Sequence, residues 1–506
     1  MESKVSGFLK EGLAPEIQDA FLAPALFRAV DVIMPLIGEI NKAHVIMLGE
    51  CGILSGEDVA ALLQTIIEIE KEGFDSIPLD PAREEHYFNY EAVVIAKLGS
   101  DTGGRMHVAR SRNDMKSTQD RMRARALAIR LISNTIDLRE ALLESARRYV
   151  DIVMPGYTHM QPAQPSSYGW YLLGVESALR RDTARLLDSY SRINQCPLGA
   201  GAVAGTSFPI DRKRTSDLLG FECPAYHAQD AVASRDGIME LLSAVALLTT
   251  TVGRMGQDFY NMTTYEFGTL NLPDSVATTS SIMPQKKNMG PLENLKARPA
   301  LVTGALVTAL ASQRAIPFTH TQESSNDCMR WTWDALEEAD KGLVAARVIV
   351  EAAEPKPERM LELVQNNFSA VTDLADTLVR VAGLSFREAH HVVGRTVRLA
   401  QERGLKSYEI DANLLSDAAE ATIGKRIQLT AQQVKDALDP TMIVNARTGS
   451  GGPSVADCGT IADQAQAQLS QDKQALADSA AKITSAKAEL DARVNSLIRR
   501  RESAAK

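Results

Sequence analysis

The sequence predicts an all-α protein built on several unusually long helices, and three observations carry that expectation. Aromatic residues make up only 5% of the 506 residues and alternating β-branched runs are scarce, while Ala, Leu, Glu, Arg and Gln fill the segments between breakers. No Gly or Pro interrupts the chain from about Asn113 to Val153, a stretch far beyond an ordinary globular helix. Gly- and Pro-rich loops then separate further helical stretches.

Taken in order, Glu11–Leu98 forms a first unit that ends near Gly103–Gly104, and the longest helix follows it. Further helices are expected near Tyr168–Asn194, Val232–Tyr260, Pro291–Ser312 and Ser324–Ala353. The loops between them are Pro155–Pro165, Pro197–Pro209, Phe267–Pro284 and Ala315–Thr321. Leu241–Val252 and Leu301–Leu310 are apolar over more than one face, whereas a surface helix needs a single stripe. Such helices fit either a large monomeric bundle or an oligomer whose central helices pack across subunits, and their limited mutual cover favours the oligomer. Glu354–Glu358 (EPKPE) breaks helicity sharply, Gly449–Pro453 (GSGGP) is a flexible loop, and Thr484–Arg501 reads as a terminal amphipathic helix. The expected domains are 1–110, 111–354 and 355–506.

Composition narrows the function classes. Apolar residues at 45% and charged residues at 24% are ordinary for a soluble globular protein. No run of eighteen uncharged apolar residues exists, and Met1–Lys10 lacks the apolar core of a secretion signal, so the expected location is the cytoplasm, with no membrane partner. A net charge of −9 offers no general affinity for phosphate backbones, which argues against a nucleic-acid partner. Five scattered cysteines with no CxxC spacing argue against a disulfide framework or a structural zinc site.

Four segments have the composition of anion-binding or catalytic loops. Arg110-Ser111-Arg112-Asn113-Asp114 precedes the longest helix, where exposed N–H groups, the positive dipole end and two guanidinium groups suit carboxylates. The plain alternative is a solvated basic turn with an Asx cap. Gly156-Tyr157-Thr158-His159-Met160-Gln161-Pro162 sets a histidine among hydroxyl and amide donors, suited to proton transfer, although a lone histidine is more often structural. Thr279–Asn288 carries Ser280, Ser281, Met283, Lys286 and Asn288 before the helix opened by Pro291, a combination that suits an oxyanion site. Glu293, five residues after Asn288, is placed to polarise a histidine from another segment. Gln229–Asp236 sets Arg235 among acids at a helix start, which is equally well a capping network.

In this order the segments resemble the argininosuccinate lyase branch of the fumarase/aspartase superfamily. Ser280–Asn288 is similar to its signature loop G-S-S-x-M-P-x-K-x-N, Arg110–Asp114 to R-S-R-N-D, and Gly156–Pro165 to G-Y-T-H-x-Q-x-A-Q-P. Pro197–Arg212 and Arg387–Gly394 extend the likeness over nearly the whole chain. The resemblance implies the three-domain fold of that superfamily with a long central helical bundle. It also implies a homotetramer with active sites shared between subunits, and cofactor-free, metal-free release of fumarate by anti-elimination through an aci-carboxylate. It implies that Ser280, six residues before Lys286, is the general base, with His159 and Glu293 assisting proton handling and Lys286 acting beside them. Arg110, Ser111, Arg112, Asn113, Thr158, Gln161, Ser281, Met283, Asn288, Arg235, His320 and Ser325 are then the expected substrate-binding residues.

The departures from the family pattern are one-sided. Where the family holds the arginine-like half with Tyr, Gln and Lys, this chain has His320, Ser325 and Cys328. Glu84-Glu85-His86-Tyr87 stands for E-D-[IV]-H, Met115 for a Gln, Val108-Ala109 for Thr-Gly, and Met289-Gly290 for Pro-Asp. A site built for polar groups discriminates strongly through them. The implied substrate is therefore a dicarboxylate that keeps the succinyl group on nitrogen but carries another amine, as in aminopolycarboxylates such as ethylenediamine-N,N′-disuccinate. Argininosuccinate itself, a non-catalytic relative that kept the fold, and other reactions of the superfamily are the competing readings.

Overall fold

The computed structural model describes residue 8 and residues 10–504, with side chains described through residue 500. The reading of Met1–Lys10 as lacking a secretion signal lies almost wholly outside the described residues. The first unit is built from α1 (Val30–Glu50), α2 (Gly56–Glu72) and α3 (His86–Gly103). The longest helix of the centre, α4 (Arg112–Arg148), runs 37 residues from a capping box: Ser111 accepts the Asn113 N–H while Asp114 accepts that of Ser111. It ends among Arg147 and Arg148, cations that suit the negative end of the helix.

Residues 155–165, expected as a loop, form a twisted hairpin of β1 (Val153–Thr158) and β2 (Gln161–Ser167), with Pro155 opposite Pro165 and a bulge after Pro155. A two-stranded ribbon has open edges on both sides, so prolines lose no ladder bond there. Helix α5 (Tyr168–Ile193) follows, and α6 (Asp236–Met262) starts four residues later than expected, because Ala228–Ala233 is a separate short helix ending at an extended Ser234. Strands β3 (Thr278–Thr279) and β4 (Lys287–Asn288) pair antiparallel and hold the signature loop between them.

Helix α7 (Gly290–Gln313) packs on α6, where a Cβ on Gly253 would lie 2.7 Å from Pro299 Cγ, so only glycine permits that approach. Helix α8 (Thr332–Ala352) starts later than expected, since Glu323–Asp327 takes a π-helical turn. The terminal helix begins at Val455 and ends at Ala504, so the amphipathic segment 484–501 is the last part of a 50-residue helix, α9.

Among the described residues three large hydrophobic clusters result, with two small ones beside them. The central one is formed by α4 to α8 together with Cys458, Ala462, Ala465 and Leu469 of α9. The first unit's cluster takes Leu490 and Val494 from the other end of α9, and the third is built from residues 370–443. Inside the centre Arg139 is 0% exposed and donates to Glu176 at 2.9 Å, Asp472 at 2.6 Å and Thr183 at 3.2 Å, fixing α9 to α4 and α5. Helices α1 and α6 have the length and hydropathy of membrane spans, yet 67% and 56% of their most apolar windows are buried within the fold. Their apolar character is met by packing.

Candidate active site

The Arg110–Asp114 segment is anchored by its last residue. Asp114 Oδ2 accepts the N–H groups of Gly199 and Gly201, both at 2.9 Å, and thereby ties the Pro197–Pro209 loop to the start of α4. Gly201 holds a φ of 61° there and its Cα faces the Gly205 carbonyl, a position that excludes a side chain. Burial pushes the Asp114 carboxyl up to about 6 in spite of its three backbone donors.

Arg110 faces inward. It is 7% exposed and donates to Asn41 Oδ1 at 2.7 Å and the Tyr87 hydroxyl at 3.1 Å, and that hydroxyl also contacts Glu91 and His107. Desolvation and the Arg110 charge hold His107 down to about 4. Arg112 points the other way, into the solvent-accessible side, where its Nη1 meets Glu84 at 2.6 Å and Glu85 at 3.7 Å. Asn113 donates to the Ala202 carbonyl at 3.2 Å.

Beside Arg112 lies a cavity of about 400 Å³. Its polar wall includes Glu84, Glu85, Lys116 and Asp120, and its apolar wall includes Phe21, Leu26 and Trp333. Lys116 is paired with Asp120, whose other oxygen lies 3.3 Å from Arg235 Nε. Arg235 itself is 3% exposed, donates to the carbonyls of Val232 and Ser234, and stands beside Asp120, while its Nη2 makes no hydrogen bond among the described residues.

Ser325 lines the cavity, but its hydroxyl donates back to the Thr321 carbonyl at 3.1 Å. Burial holds His320 down to about 4, with Arg235 acting in the same direction, and its Nδ1 is without a partner. Cys328 is buried with its thiol toward the Ala309 carbonyl.

The remaining predicted residues stand on two other loops. Thr158, His159 and Gln161 occupy the exposed tip of the β1–β2 hairpin, where His159 and Met160 take φ values of 52° and 58°. Ser280, Ser281, Met283 and Lys286 lie between β3 and β4, and Asn288 donates to the Thr279 carbonyl at 3.3 Å across the strand pair. Ser280 Oγ accepts the backbone N–H groups of Met283 at 3.1 Å and Ile282 at 3.4 Å. Glu293, in the first turn of α7, accepts the Tyr260 hydroxyl at 3.2 Å. Among the described residues no hydrogen bond or ion pair joins His159, Lys286 and Glu293 to one another.

One chain thus brings Arg112 near Asp120, Arg235 and His320, with Ser325 on the same cavity, while no hydrogen bond or ion pair among the described residues links them to the two hairpin tips. Glu84, Glu85, Lys116 and Asp120 were not expected as site residues. The consecutive acids just before a helix were the available signal for the first two. No group of His, Cys, Asp or Glu among the described residues has the arrangement of a metal site.

A long-helix core carrying this signature loop defines a carbon–nitrogen lyase of the fumarase/aspartase superfamily, an enzyme that releases fumarate. A family model described as lyase matches residues 40–304, and one described as argininosuccinate lyase C-terminal matches residues 368–445. The chain is 35% identical over 472 residues to argininosuccinate lyase 1 of Shouchella clausii, covering 93% of this chain and 95% of that protein. It is 37% identical over 412 residues to the argininosuccinate lyase of Methanocaldococcus jannaschii, covering 81% and 84%. Among solved structures, EDDS lyase in complex with formate superposes with a TM-score of 0.87 at 34% identity, covering 97% of both chains. The chain belongs to the argininosuccinate lyase family.

Proposed function

We propose that this lyase releases fumarate from an N-substituted aspartate other than argininosuccinate, an aminopolycarboxylate of the ethylenediamine-N,N′-disuccinate (EDDS) kind. The observation that carries this reading is the state of His320, Ser325 and Cys328. The Ser325 hydroxyl is turned back onto its own turn, the Cys328 thiol is buried against the Ala309 carbonyl, and His320 is held neutral, so these three positions offer the amine half no charge and one unpartnered imidazole nitrogen. The likeness to EDDS lyase over 97% of the chain supports the same direction.

In the proposed mechanism Ser280 is the base. A serine is a poor base at its ordinary pKa, and two backbone N–H groups aimed at its oxygen favour the ionised form. It takes the proton next to the substrate carboxylate, and the charge passes into an aci-carboxylate held by preorganised donors. Lys286, Asn288, Ser111, Arg112, Asn113 and Thr158 are proposed as those donors, with Gln161, Ser281 and Met283 beside them. The amine then leaves on the opposite face, with His159 and Glu293 handling its proton.

Three separate loop groups need more than one copy of the chain to meet. From Pro299 to Ser312 α7 carries no charge, and Leu301, Val307 and Leu310 are half exposed or more, as is nearly so for Leu247 on α6. Such a face buries itself on further copies of this chain. A homotetramer with shared sites is the assembly proposed.

Argininosuccinate cleavage is the second reading, favoured by the names of the curated relatives at 35% and 37% identity. The reverse reaction separates the two. Fumarate is offered with ethylenediamine or with arginine, and the adduct is identified by mass spectrometry. An ethylenediamine adduct alone supports the proposal; an arginine adduct alone overturns it.

A further inference from the structure

Two arginines on the cavity wall come from different parts of the fold. Arg28 lies just before α1 and Arg330 just before α8, and both line the cavity. Both are exposed, and among the described residues neither forms an ion pair. Arg28 Nη1 donates to the Arg330 carbonyl at 3.4 Å. The Arg28 and Arg330 guanidinium carbons stand 5.9 Å and 4.9 Å from the ring centre of Trp331. An aromatic face attracts a cation, so this one indole holds both groups beside it while leaving their charge uncompensated.

The other charges around the cavity balance one another. Glu84 and Glu85 meet Arg112, Lys116 and Arg235 meet Asp120, and Arg123 meets Glu337. What remains is Arg28 and Arg330 against Asp327, an exposed lining carboxylate that forms no ion pair among the described residues. The wall therefore carries a positive excess, gathered where two like-charged groups share a ring. An anion beside them relieves that repulsion, and a planar guanidinium group fits a carboxylate bidentately. With about 400 Å³ the cavity has the size of an ordinary small-molecule site, so there is room for such a group inside it.

We propose that Arg28 and Arg330 are specificity-determining residues that bind a carboxylate carried by the departing amine. The cavity then selects substrates whose amine half ends in an acid beyond the carbon–nitrogen bond that breaks. This deepens the lyase reading and rests on it for the succinyl group held at Arg112.

The test is calorimetric titration of the whole Ser280→Ala enzyme, which slows consumption of the ligands, by EDDS and by N-(2-aminoethyl)aspartate. The second ligand is EDDS without its second succinyl arm, so both offer the same group to Arg112. EDDS is expected to bind at least about tenfold more tightly, well beyond the roughly twofold advantage of its two equivalent ends. Adding Arg28→Gln or Arg330→Gln is expected to reduce that preference below about threefold and to leave the affinity for N-(2-aminoethyl)aspartate unchanged. A merely structural role would weaken both ligands alike. Arg403→Gln, which removes an equal charge at an exposed position outside the cavity, is expected to keep the preference. Binding of neither ligand, a preference of about twofold or less before the arginine changes, or a preference that both arginine variants keep overturns the proposal. Equal loss in Arg403→Gln overturns it too. Fumarate absorbance with the wild-type enzyme and EDDS reads the lyase proposal separately. The preference without fumarate release keeps the carboxylate subsite and overturns the substrate reading; release without the preference overturns the subsite alone.

Discussion

Ser280 Oγ accepts the Met283 N–H at 3.1 Å, so the first serine of the pair is solvated by its own loop, while among the described residues no hydrogen bond reaches the Ser281 hydroxyl. The difference ranks two adjacent, chemically identical side chains. Ser280→Ala is expected to lower the rate of fumarate release by about 10²- to 10⁴-fold, the range lost with a proton-transfer group. Ser281→Ala is expected to lose far less. Ultraviolet absorbance of fumarate measures both, and equal losses in the two variants would contradict the assignment of the base.

Burial holds His86 down to about 4, with Lys116 adding in the same direction. In the unfolded chain an ordinary histidine titrates near 6.5. Between these values the unfolded state binds the extra proton, so stability falls as the pH drops from about 6.5 to about 4. Asp114, raised to about 6, acts with the opposite sign in the same range and must be cancelled by differencing. Against His86→Asn, the wild type is expected to lose about 1–2 kcal/mol more between pH 7.5 and pH 5. Urea midpoints at the two pH values check this; parallel curves would contradict it.

Arg139 is the fully buried hub of α4, α5 and α9. Asp472→Ala leaves that guanidinium short of a carboxylate and is expected to cost about 3–5 kcal/mol. Surface pairs on the same helix, such as Lys473 with Glu140, are expected to contribute less than about 1 kcal/mol. Urea unfolding of Asp472→Ala and Lys473→Ala compares the two directly.

Val307→Glu and Leu310→Glu place charge on the uncharged face of α7. Sedimentation velocity is expected to show wild-type particles of four 55.0 kDa chains and smaller particles for the variants. The variants should retain their helical circular dichroism and lose fumarate release together with assembly. Active single chains would contradict shared sites.

Much of the fold was legible because helix signals are local. The uninterrupted run after Asn113 and the Gly/Pro breaks set α4 to α7 within a few residues. The hairpin at 153–167 was missed because its prolines read as loop, and two-stranded ribbons tolerate them. The late start of α8 was missed because a π-helical turn at 323–327 has the same composition as a helix. At the site, the motif residues were legible as motifs, whereas the direction of each side chain was not. Arg110 and Arg112 sit two positions apart at a helix start, and the backbone sends one inward to Asn41 and the other outward to Glu84. Asp120 was invisible because nothing in its surroundings in sequence marks the Lys116 and Arg235 partners that bury it.

On the proposed reading this family member keeps the fumarate half of its site and changes the amine half. The most direct measurement is fumarate absorbance on incubating the purified enzyme separately with EDDS and with argininosuccinate. Rapid release from EDDS and none from argininosuccinate is the predicted result. Rapid release from argininosuccinate alone would contradict it, and would mean that a site with His320, Ser325 and Cys328 at these positions accommodates the arginine half after all.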